Sequence, residues 1–173
     1  MAPLFSVQRP LIVYLAGEIH TDWRAEVAVA VVRQGVDVCL VSPVTDHSAS
    51  DACGQTILGE RESGFWADQA SAGINAIRTR TLIAQADVVV ARFSLAYREF
   101  FEWNCAFDAG RAVALGKPLI TVHPVELDHP LKEVDRGALA VVRHPAQVAE
   151  ILGYAFGDLC GRDTIAVTGA HAA

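Results

Sequence analysis

The chain has 173 residues, 52% of them hydrophobic and 20% charged, with a formal net charge of −6. That length suits one domain, and that balance suits a packed core and excludes disorder. That acidic balance argues against polymeric nucleic acid as the main partner, because phosphate binding needs a basic face. Apolar runs such as Leu11–Ala16 are far shorter than the ~20 residues of a membrane span, so no membrane partner is expected.

In chain order, residues 1–10 read as an N-terminal extension without a secretory signal. Leu11–Ala16 is a continuous apolar run ending at Gly17, the pattern of a strand buried on both faces. Thr21 or Asp22 can cap a helix over Trp23–Gln34, with Gly35 as its stop. Val36–Val41 is a second strand, ended by Ser42-Pro43. Residues 44–72 are polar and Gly-rich and read mostly as a long loop, with one short helix over Asp51–Glu62. Ala72–Gln85 is a helix and Asp87–Phe93 a third strand. A helix starts near Asn104 and ends at Leu115-Gly116. Leu119–Val122 is a fourth strand, Pro130–Arg136 a helical turn and Leu139–Val142 a fifth strand. Pro145–Phe156 is a last helix with proline at its start. Residues 158–173 read as a loose tail.

Alternating strands and helices imply an α/β fold: a three-layer, flavodoxin-like or Rossmann-like, doubly wound parallel sheet of five strands in order 2-1-3-4-5. It occupies a single domain over residues 11–157. Ligands in such sheets bind beyond the carboxyl ends of the strands, at the switch point. That rule selects the turns after the first, third and fourth strands.

The first turn lacks G-x-G-x-x-G and the Walker pattern, which argues against a dinucleotide or ATP phosphate site. It carries Glu18, His20, Asp22 and Arg24 beside Gly17. The segment after strand three supplies Arg92 and Phe93, then an aromatic stretch through Phe100, Phe101 and Trp103. Asn104, Asp108 and Arg111 follow at i, i+4, i+7, on one helix face. An ionised carboxylate there suits attack on an anomeric carbon, while a surface pair between Asp108 and Arg111 is the plainer alternative. The cysteines at 39, 53, 105 and 160 form no C-x-x-C pair and read as reduced, largely buried thiols of a cytoplasmic protein. No spacing suggests a metal.

The run Tyr14-Leu-Ala-Gly-Glu-Ile-His-Thr-Asp-Trp-Arg24, with Trp103-Asn104, Asp108, Gly116-Lys-Pro-Leu-Ile120 and His129-Pro-Leu-Lys-Glu133, resembles the YtoQ family. That family is a branch of the nucleoside 2-deoxyribosyltransferase superfamily, and the resemblance covers roughly residues 11 to 156. It implies a cofactor-independent enzyme cleaving the N-glycosidic bond of a nucleoside or nucleotide, as transferase or hydrolase. Asp108 matches the helix carboxylate that attacks C1′. Tyr14 matches the tyrosine that holds it, and Gly17 the glycine of the first loop.

Three positions depart from the superfamily pattern. Asp108 replaces a glutamate and is one methylene shorter. Thr79 follows Arg78 where an aspartate is usual, and Asp68 upstream is the expected substitute. Glu18 replaces a proline and is expected to act as the general acid, with its pKa raised by burial. Gly17, His20, Trp23, Arg24, Arg92, Phe93, Trp103 and Asn104 are the expected substrate-binding residues. The resemblance also implies a homo-oligomer, dimer or higher, with a small-molecule partner. A non-catalytic module binding a nucleotide or nucleotide-sugar is the alternative on the same fold.

Overall fold

A computed structural model describes residues 9–60, 62–96 and 102–157. The N-terminal residues 1–8, the aromatic stretch 97–101 and the expected tail 158–173 lie outside the described residues.

The first strand, β1 (Leu11–Gly17), runs parallel to β2 (Val38–Val41) on one side and β3 (Val88–Arg92) on the other. β4 (Leu119–Val122) and β5 (Ala140–Val142) complete a parallel sheet of order 2-1-3-4-5, as expected. The helices are α1 (Trp23–Gln34), α2 (His47–Leu58), α3 (Gly64–Gln85), α4 (Trp103–Ala114), α5 (Asp128–Gly137) and α6 (Pro145–Phe156).

The pleat of β1 divides the core. Val13 and Leu15 join Trp23, Val27, Val31, Val148 and Leu152, which are the inward faces of α1 and α6. Tyr14 and Ala16 point the other way, toward Ile83 of α3 and Cys105, Ala109 and Ala112 of α4. The same alternation in β3 sends Val88 and Val90 to the first layer and Val89 and Ala91 to the second. A strand covered on both faces has no polar face, so its apolar residues run unbroken.

Residues 44–72 correct the expectation of a loop. α2 starts at His47, with the Asp46 carboxylate accepting from Ala49 N at 2.9 Å. α3 starts at Gly64 behind a Ser63 cap and runs for 22 residues. The small and polar residues that suggest a loop are the contact between the two helices. Gly54 N donates to Ser71 Oγ at 3.0 Å, and that hydroxyl donates to Asp51 O at 2.5 Å. Asn75 Nδ2 donates to Ser50 O at 3.0 Å. A Cβ on Gly54 would lie 2.5 Å from Ser71 N, so only glycine permits this approach.

Smaller corrections follow. α5 is a full helix, and Pro130 sits in its first turn, where its missing N–H is not needed. Asp22 occupies the cap position of α1 without a side-chain hydrogen bond, and Thr21, the other candidate cap, gives its hydroxyl to Glu18. Cys39 is exposed and Cys53 half-buried; of the described cysteines only Cys105 is buried. Among the described residues no helix is long and apolar enough to cross a membrane.

Candidate active site

Two groups of residues meet at the carboxyl edge of β1 and β3. The first is the turn after β1. Gly17 has φ +137°, and a Cβ there would lie 2.6 Å from Arg92 O, so β1 and β3 close together only around glycine.

The turn then wraps around Glu18. Its carboxylate accepts from His20 N at 2.7 Å and Thr21 N at 3.0 Å, and also from the Thr21 hydroxyl and the Arg92 guanidinium. Burial alone would raise the Glu18 pKa. The Thr21 hydroxyl, the two amides and the Arg92 charge outweigh it and hold the carboxyl below its ordinary value. Glu18 is therefore a fixed anion, which corrects the expectation of a general acid with a raised pKa.

The same network removes other expected binding residues. Arg24 donates to Leu15 O, Gly17 O and Glu18 O, tying its guanidinium to the end of β1. Trp23 is 0% exposed and donates from Nε1 to Glu18 O at 3.1 Å, so it is core and not pocket wall. Phe93 is 4% exposed and belongs to the core between the sheet and α4. Arg92 gives Nη1 to Glu18 and Thr21, which orients its guanidinium along the turn.

The second group joins β1, α3 and α4. The Tyr14 hydroxyl donates to Asp108 Oδ2 at 3.1 Å. Tyr14 is pushed well above its ordinary pKa by burial and by the Asp108 charge, so it remains a donor. Asp108 is 9% exposed, and burial pushes its carboxyl up to about 6, against the Tyr14 hydrogen bond and the Arg111 charge. Among the described residues Oδ1 takes no hydrogen bond and is not sealed from solvent. Thr79 of α3 faces the Tyr14 hydroxyl. Asp68 lies eleven residues earlier on the same helix, about 16 Å along its axis, so it is not brought to this point as a substitute.

Glu102 is the acid whose protonation the sequence did not disclose. It stands at the cap position of α4 with φ +38°, and both its oxygens accept from Ser94 N, at 3.1 and 2.9 Å. Burial and the neighbouring Glu18 charge push it up to about 7, opposed by the Ser94 amide and by Arg92. Between Glu102 and Asp108 sits Cys105. Its buried thiol donates to Arg92 O at 3.4 Å and is pushed up by burial and by both carboxylates. The sequence signal was present: an acid six residues before Asp108, opening the same helix.

Trp103 (72% exposed), Asn104 and His20 lie on the solvent side of this edge. The His20 ring stands 5.5 Å from that of His47, at the start of α2. A surface depression of about 530 Å³ lies between the ends of α2 and α3, lined by Leu58, Trp66 and Gln69, and does not include Tyr14 or Asp108.

The doubly wound sheet and the buried, tyrosine-held carboxylate beside its switch point define the class: a parallel α/β protein of flavodoxin-like topology. Within that class the chain belongs to the family described as Nucleoside 2-deoxyribosyltransferase YtoQ, which it matches over residues 14–156. It is 39% identical over 145 residues to the uncharacterized protein YtoQ of Bacillus subtilis (strain 168), covering 84% of this chain and 96% of that protein. It is also similar to a solved 2-deoxyribosyltransferase from Bacillus psychrosaccharolyticus. There the identity is 19%, the coverage 80% of this chain and 90% of the other, and the TM-score 0.45.

Proposed function

We propose that this protein cleaves the N-glycosidic bond of a nucleoside or nucleotide and passes the sugar to another base or to water. The single observation behind this reading is the buried Tyr14–Asp108 pair, which leaves one carboxylate oxygen open. Family membership supports it.

In this mechanism Asp108 Oδ1 attacks C1′ as the bond from C1′ to the base breaks. The base takes its proton from Glu102, and a covalent glycosyl–aspartate remains. A second base, or water activated by the ionised Glu102, then displaces Asp108 and regenerates both groups. At pH 7 a carboxyl near 6 is mostly ionised, and one near 7 is about half protonated. Two acids held apart in this way suit the two roles. Tyr14 holds the attacking carboxylate. Gly17, His20, Trp103 and Asn104 border the space for sugar and base. Exposed Ile77 on α3, Phe107 on α4 and Leu115 at the end of α4 fit a homo-oligomer.

Two observations favour the alternative, a nucleotide-binding module without turnover. Asp108 is shorter than glutamate, and Thr79 stands where the superfamily has an acid. One experiment separates the readings. Purified protein and Asp108→Asn are given ribo- and deoxynucleosides and their 5′-monophosphates, with and without a free acceptor base. Released and exchanged base is measured by chromatography. Turnover in the wild type that is lost in Asp108→Asn is the expected result. No turnover, with equal ligand-induced thermal stabilisation of both proteins, would establish the module instead.

A further inference from the structure

Asp108 and Arg111 are the only charged residues of α4, and they lie one turn apart. Neither has an ion pair among the described residues: no carboxylate oxygen lies within 4.0 Å of an Arg111 nitrogen. The Arg111 guanidinium lies over the Phe107 ring at 5.4 Å, and its Nε is buried without a hydrogen-bond partner. Among the described residues a partly buried cation without an ion-pair partner thus stands one helical turn from a mostly buried acid whose hydrogen bond comes from Tyr14.

Distance matters here. A contact ion pair would occupy the carboxylate oxygens and blunt their attack. A cation beyond contact distance still lowers the cost of the negative charge, because the field in a partly buried site reaches further than in water. We propose that Arg111 is a positioning residue for Asp108: it keeps the carboxylate charged through space and leaves Oδ1 free. This rests on the reading of Asp108 as nucleophile. In support, the Arg111 charge opposes burial in setting the Asp108 ionisation.

The test is a titration of the Asp108 side-chain carboxyl by carbon-13 NMR in the full chain, with the resonance assigned by its loss in Asp108→Asn. Arg111→Gln removes the charge, Arg111→Met removes it while keeping the apolar stem over Phe107, and Arg111→Lys retains it. The Asp108 midpoint is expected to rise by about 0.5 to 1 on the pH scale in Arg111→Gln and Arg111→Met, and to return toward wild type in Arg111→Lys. In the base-release assay, kcat/KM at pH 6 is expected to fall about two- to fivefold in the two neutral variants, with little change at pH 8. An unchanged midpoint in either neutral variant, with the near-ultraviolet circular dichroism of the folded protein, overturns the proposal. A wild type without turnover overturns the enzyme reading, and the titration still decides the role of Arg111.

Discussion

Glu18 and Glu102 are both glutamates at the carboxyl edge of one sheet, both near Arg92, and they respond to burial in opposite ways. Glu18 collects two amides, a hydroxyl and a guanidinium, and remains ionised below its ordinary pKa. Glu102 has the single Ser94 amide, faces the Glu18 charge, and rises to about 7. The number of donors, more than depth, decides which carboxyl is an anchor and which can release a proton near neutral pH.

The sharpest way to break the comparison lies outside the pair. Asp108→Asn should reduce turnover by about a thousandfold or more while leaving the fold intact, since asparagine can still accept from Tyr14. Base release and thermal unfolding measure the two effects. Next is Glu102→Gln, expected to cost about 10²-fold in turnover and to remove the alkaline limb of the pH profile near 7, with little change in Tm. A normal alkaline limb in that variant would assign the proton to another group.

Glu18→Gln should do the reverse. It leaves the Arg92 cation beside a neutral amide and should cost about 3 kcal/mol of stability, seen in denaturant unfolding. If it instead removed a limb of the pH profile with stability unchanged, Glu18 and Glu102 would have to exchange roles.

The smallest effect is on stability against pH. The Glu18 pKa is lowered by folding, so its contribution is present above the unfolded value near 4.5 and is lost as pH falls through the folded value. Glu102 and Asp108 are raised, so their contributions are full below the unfolded values and are lost as pH rises toward about 7 and about 6. Unfolding curves of Glu18→Gln should lose the acid-side slope, and those of Glu102→Gln the slope between about pH 4.5 and 7.

The sheet was legible because its signals are local: β1 and β3 are unbroken apolar runs bounded by glycine, proline or a cap. The α2–α3 pair was not, because Gly54, Ser71 and Asn75 read as loop residues until each has its partner across the interface. Tyr14 and Asp108 were reachable through the family motifs. The ionisation of Glu18 and Glu102 was not, since it depends on which amides and charges folding brings to each carboxyl. Trp23 and Phe93 misled for a related reason: an aromatic at a sheet edge is as readily core as pocket wall, and only burial tells them apart.

The glycine-to-serine joint between α2 and α3 has a mechanical meaning. α2 buries only Gly54 and leans chiefly on α3, so it is a cantilever hung from one neighbour. Such an element opens as a unit, ahead of the sheet, and hydrogen exchange should show its amides unprotected while those of β1 and β3 remain closed. His47 rides at its start, its ring 5.5 Å from that of His20 in the turn after β1, so the two-helix unit touches the edge of the sheet there.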